Sequence, residues 1–127
     1  MHPLLAESVT QFQAQAYNEL LPSQGPVKTQ VLGMTTAESE QQASRVQEFM
    51  NYQLMQVMKE YDSETDQMLF YLPLSGSAFR KVYYDQNLDR AVSKFIPSED
   101  LIVPYSATDL HSATRITHVI DMSLNDI

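Results

Sequence analysis

The residues best suited to acid–base or metal chemistry are the three histidines, His2, His111 and His118, which fall on three different predicted elements. None has a second ligand at metal spacing, which argues against a zinc site. A catalytic imidazole would need His118 with Asp121 or His111 with Asp109. Residues 118 and 121 point to opposite faces of a strand, so no facing pair forms and no enzyme is expected. Asp62, Glu64 and Asp66 match the opening of a calcium loop, yet Gln67 stands where glycine is required and Pro73 where the bidentate glutamate belongs. They read instead as a solvated acidic cluster at a helix start. Ser75-Gly76-Ser77 follows a helix and precedes a strand, the reverse of a nucleophile elbow. Gly25, Gly33 and Gly76 are too scattered to build a phosphate loop, so no cofactor is expected.

Binding rather than turnover is left. Arg80, Lys81, Arg90 and Lys94 fall within fifteen positions and interleave with Tyr83 and Tyr84, a candidate nucleic-acid contact. Asp85 and Asp89 halve that local charge, and Lys or Arg on a hairpin also serves to block edge pairing. The chain of 127 residues has eight basic and sixteen acidic side chains, a net charge of −8, which excludes a protein whose main task is to coat nucleic acid or an anionic membrane. It has no cysteine, and so no disulfide or thiolate site. No run approaches the roughly 18 apolar residues of a membrane span, and no membrane partner is expected.

The elements that must position these residues are predicted as α+β. N-terminal helices over about 3–21, 38–61 and 64–75 pack on a small, mostly antiparallel sheet with strands at about 79–85, 90–96, 101–103 and 115–122. Leu4, Leu5, Val9, Phe12, Ala16 and Leu20 line one face of the first helix, which Pro22 stops before the turn Ser23-Gln24-Gly25-Pro26. Val27 to Leu32 reads as extended. Thr35 with Glu38, or Thr36 with Ser39 and Glu40, opens the second helix.

That second helix carries Ala43, Val46, Met50, Leu54, Val57 and Tyr61 at steps of three and four, widened by Phe49, Met55 and Met58. A stripe so broad needs cover on more than one side, and Val46, Met50, Leu54, Val57, Met58 and Tyr61 are its candidate core or subunit-interface residues. Ser63 with Asp66 resembles a capping box for the third helix, which Pro73 bends or ends. The hairpin follows, joined across Gln86-Asn87-Leu88 by a turn without glycine. Pro97-Ser98-Glu99-Asp100 then turns into a short buried strand at Leu101-Ile102-Val103, and Thr108-Asp109 caps a helical turn through Ala113. Ser123 with Asp126 reads as the start of a further helix. The expectation is a helical part over 1–77, a small β part over 78–122 and a truncated helix start over 123–127, together one piece of a longer protein.

The order of these pieces resembles the wing region of portal proteins of tailed bacteriophages, closest to the short-tailed-phage type. The resemblance rests on the helix ending Glu19-Leu20-Leu21-Pro22, the long helix 38–61, and the run Asp66-Gln67-Met68-Leu69-Phe70-Tyr71-Leu72-Pro73-Leu74-Ser75-Gly76-Ser77-Ala78-Phe79-Arg80-Lys81-Val82-Tyr83-Tyr84-Asp85. It continues through Pro97-Ser98-Glu99-Asp100, Leu101-Ile102-Val103 and the strand ending Met122-Ser123. The chain departs from the family at Pro104-Tyr105-Ser106, where an Asp-Pro pair is frequent.

The resemblance implies a non-enzymatic virion component made in the host cytoplasm. Its parent would be a dodecameric homo-oligomer ring at one capsid vertex. Terminase, capsid and tail proteins would be its partners, and DNA would pass through without sequence-specific binding. The family's stem, clip and crown regions have no counterpart in this chain. The alternative is a protein-interaction adaptor that uses the 43–61 stripe.

Overall fold

Thr36 and Ser39 settle where the second helix begins. Each accepts from the other's backbone amide, Ser39 N–H to Thr36 Oγ1 at 3.2 Å and Thr36 N–H to Ser39 Oγ at 2.9 Å. In the computed structural model, which describes residues 3–125, this box opens α2, Ala37–Tyr52. It is preceded by α1, Leu4–Leu20, and followed by α3, Tyr61–Ser75. The β part comprises β1, Ala78–Asp85, β2, Arg90–Pro97, β3, Leu101–Ile102, and β4, Thr117–His118. The fold is α+β, with N-terminal helices and small antiparallel sheets. His2 and the Ser123–Asp126 box lie, in whole or in part, outside the described residues.

Several boundaries differ from expectation, each for a physical reason. The predicted helix 38–61 is two elements. α2 widens into a π-helical turn at Gln53–Val57, and Met58 N–H closes it on Gln53 O at 2.9 Å. A turn at Lys59–Glu60 then interrupts the helix, so Tyr61 belongs to α3. No Gly or Pro marks this break in the sequence; Met58, only 5% exposed, turns inward there. α3 starts earlier than the Ser63–Asp66 box predicts, with Glu60 at its N-cap and Ser63 Oγ donating to Glu60 O at 3.1 Å. It also runs through Pro73 as far as Gly76, whose φ of +81° ends it.

β1 and β2 pair in antiparallel register from Ala78↔Pro97 to Asp85↔Arg90. Their glycine-free turn is closed by the Asp85 carboxylate, which accepts from Asn87 N–H at 2.8 Å and Leu88 N–H at 3.2 Å, with Asp89 at φ +52°. The expected single sheet is two separate two-stranded ladders, β1–β2 and β3–β4. The predicted strand 115–122 pairs only over Thr117–His118. The brief helix after Thr108 is only a set of turns, in which Asp109 Oδ1 accepts from Ser112 N–H at 2.6 Å. Ile102 and Val103 are exposed, so the stretch predicted as a buried strand is a surface one.

Among the described residues the buried apolar side chains are Val9, Leu21, Met58, Leu69, Val92 and Ile96. α1 packs on α3, which packs on the hairpin. The accessible surface is 10113 Å², against about 6900 Å² for a closed monomer of this mass. Most of the apolar face of α1, Leu4, Leu5, Phe12 and Leu20 included, is uncovered.

The predicted extended stretch after Pro26 forms no strand. It docks on α2 through side-chain amides instead. Asn51 Oδ1 accepts from Val27 N–H at 2.9 Å while its Nδ2 donates to Val27 O at 3.1 Å, and Gln47 Oε1 accepts from Thr29 N–H at 3.1 Å. This brings Gly25, at φ +99°, so close that a Cβ there would lie 2.5 Å from Asn51 Cγ. Gly25→Ala is therefore expected to cost about 2 kcal/mol or more, from the positive φ and the collision. Asn51→Ala should cost about 1–3 kcal/mol through lost hydrogen bonds. Because Asn51→Ala removes the atoms the new methyl would strike, the double variant should lose less than the two single losses combined, measured by urea denaturation.

Candidate functional site

Glu60 and Glu64 stand one turn apart at the start of α3 and face the outer edge of β2. Glu60 Oε1 accepts from Ser93 N–H at 3.3 Å, and Glu64 Oε2 accepts from Phe95 N–H at 2.5 Å. Arg90 closes the arrangement with an ion pair to Glu60 at 2.7 Å. The acidic cluster is therefore not simply solvated. Glu64 holds a strand, Asp66 Oδ1 accepts from Gln13 Nε2 at 2.6 Å, and Asp62 accepts from the Tyr17 hydroxyl. These last two contacts fasten α1 to α3.

Where the hairpin meets α2 and the π turn, it leaves an apolar groove of about 700 Å³. Met50, Leu54, Val57, Val82 and Tyr84 line it, with Met58 and Tyr61 at its inner wall. The groove thus gathers five of the six predicted stripe residues; Val46 lies outside it and is exposed. Met50 is 42% exposed, Val82 67% and Tyr84 60%, so this chain leaves the groove's rim uncovered.

The four basic residues are divided. Arg80 turns toward α3, its guanidinium 4.7 Å from the centre of the Tyr61 ring and 2.7 Å from Thr65 Oγ1, with Nε unpartnered. Arg90 is neutralised by Glu60. Lys81 and Lys94 stand directly opposite each other in the register and are exposed. Among the described residues neither has an acidic partner, and Lys81 Nζ sits 5.1 Å from the centre of the Tyr83 ring. Only these two lysines therefore present free charge on one face of the hairpin.

The residues considered for catalysis do not converge. His118 is half-buried, and its Nδ1 has no partner. His111 is exposed, while the Asp109 carboxylate is taken up by the Ser112 amide, which holds it below its ordinary value. Among the described residues, no three His, Asp or Glu side chains are placed to hold a metal, and no helix is long and apolar enough to cross a membrane. Sequence reasoning passed over Glu60 and Glu64 as strand-edge acceptors. Their spacing of four on one helix face was the available signal, but nothing in it names β2 as the partner.

Burial pushes the Glu60 carboxyl up, but hydrogen bonds from its own backbone amide, Arg90 and the Ser93 amide outweigh that, and it is held below its usual range. Such a group contributes fully above its unfolded value, near pH 4.3. That contribution is lost as pH falls through the lower folded value. Wild type should exceed Glu60→Gln by about 1–2 kcal/mol at neutral pH, with the difference shrinking below about pH 4. A difference that stays constant into acid, followed by thermal unfolding, contradicts the ion pair. Comparison with known proteins finds no matching family model, no matching curated protein and no matching solved structure.

Proposed function

We propose that this chain is a wing-region segment of a phage portal protein, structural rather than enzymatic, whose parent forms a ring at one capsid vertex for DNA packaging and tail attachment. The observation that carries the reading is the surface the chain leaves open. It exposes 10113 Å², about 3200 Å² more than a self-contained monomer of its mass. The uncovered area is apolar on α1, along α2 and at the hairpin. Segments built to lie inside a larger assembly carry apolar surface of this kind. The ordered series of capped helix, Gly76 turn and Lys-Val-Tyr-Tyr-Asp strand supplies the resemblance.

On this reading the groove and the α1 face pack against neighbouring subunits and the rest of the parent. Terminase, capsid and tail proteins are the parent's partners, and the setting is the virion. The net charge of −8 suits a wall past which DNA slides without being held.

An interaction adaptor that uses the α2 stripe is the second reading, favoured by the open groove alone. Negative-stain imaging of the full-length parent, purified without tail or capsid proteins, separates the two. Rings with a central hole are expected; dispersed monomers at high concentration overturn the portal reading and leave the adaptor.

A further inference from the structure

The two edges of the hairpin are treated differently. Ser93 and Phe95 send their amides outward from the ladder to Glu60 and Glu64, so the β2 edge is closed. Arg80 and Val82 face Phe95 and Ser93 in the register. In an antiparallel pair such opposed residues turn their backbone groups away from each other, so Arg80 and Val82 point theirs outward on the β1 side. Among the described residues no intramolecular hydrogen bond reaches those outward groups, and residues 81–84 are all exposed. A two-stranded ladder with one edge free and apolar is a template for a third strand.

The face chemistry of β1 specifies that strand. On one side of the edge lies the apolar groove, with Val82 and Tyr84 at its rim. On the other lie Lys81 and Lys94, like charges directly opposed with no acid to offset them. The complement is a stretch with apolar side chains at alternate positions and a carboxylate between them. The chain carries one just past β4: Ile120 and Met122, 55% and 56% exposed, flank exposed Asp121. Val119 N–H is tied to Asp100 O at 2.8 Å, which anchors the start of the stretch beside β3.

We propose that the stretch after β4 of one copy adds as a third strand to the free β1 edge of a second copy. Ile120 and Met122 enter the groove, and Asp121 sits against Lys81 and Lys94. Edge and stretch are different surfaces, so the contact is head-to-tail and propagates from copy to copy, as closure of a ring requires. The excess of about 3200 Å² over a closed monomer is ample for two such contacts at about 800 Å² per partner. The inference rests on the reading above in one respect, that copies of this chain meet.

The chain has no cysteine, so paired single-cysteine variants report the contact directly. Lys81→Cys and Asp121→Cys chains, mixed at high concentration with a short bismaleimide, are expected to give a cross-linked dimer that neither variant gives alone. Val82→Pro in the Lys81→Cys chain removes an outward amide without breaking a β1–β2 bond, and should cut the product by about tenfold. Helical circular dichroism of the proline variant, unchanged from wild type, shows that the fold persists.

Absence of the mixed product overturns the proposal. So does cross-linking only within a doubly substituted chain, which would put the stretch on its own β1 edge. Salt-sensitive binding of a DNA duplex that needs Lys81 and Lys94, without the protein cross-link, would assign this face to nucleic acid and likewise overturn it. Parent rings that persist with Val82→Pro defeat the strand contact alone, whereas a parent that forms no rings defeats the portal reading itself.

Discussion

Glu60 and Glu64 do what a neighbouring strand would otherwise do for β2: their carboxylates accept the amides of Ser93 and Phe95 along its outer edge. Charge-assisted bonds of this kind are stronger than the neutral bonds of a ladder, and they fix α3 alongside the hairpin. Both acids lie in or next to the first turn of α3, where the helix dipole favours negative charge. For them to open α3 beside β2, the preceding helix must end before residue 60. The π turn at Gln53–Val57 and the inward Met58 end it there. α3 then packs on β2, and Leu69 of α3 and Val92 and Ile96 of β2 are all buried, so this part of the core depends on where two carboxylates stand.

What the sequence made legible follows from how local each signal is. The α1 stripe, the Thr36–Ser39 box and the β hairpin are encoded by neighbours within four or five positions, and all three are present. The break at 58–60 was hidden because the apolar spacing of Val57, Met58 and Tyr61 runs on unbroken while the helix stops. Periodicity reports which side chains want cover, not whether one helix or two provides it. The same limit applied at Thr117–His118, where alternation over eight residues suggested a strand but only two find partners. The grouping of Met50, Leu54, Val57 and Tyr61 survived because both helices converge on one groove.

The polar contacts were least legible. Asn51 and Gln47 look like ordinary solvent-facing positions on a helix, yet they satisfy the backbone of Val27 and Thr29 across separations of 24 and 18 residues. Arg80 and Lys81 are sequence neighbours that a strand sends to opposite faces. A run of four basic residues thus resolves into one cation stacked on Tyr61, one paired with Glu60 and two left exposed. Counting charge along the chain overstates any polyanion site, because the count ignores which of these charges the fold has already spoken for.

Closing one edge of a hairpin makes the other edge the natural place for growth. Edge strands of soluble monomers are commonly shortened, bulged or covered. β1 is none of these: it spans Ala78–Asp85, pairs in continuous register and exposes Val82, Tyr83 and Tyr84, and its edge protection is the exposed Lys81 alone. The lysine opposite each lysine weakens the isolated hairpin slightly and discourages pairing with another cationic edge, while leaving an acidic strand acceptable. On a chain of net charge −8, two lysines without an ion-pair partner beside an open edge favour an acidic neighbour over a basic one there. The large accessible surface and the open groove have one physical account: among the described residues only six apolar side chains are buried, so most of the apolar stripes of α1 and α2 stay at the surface.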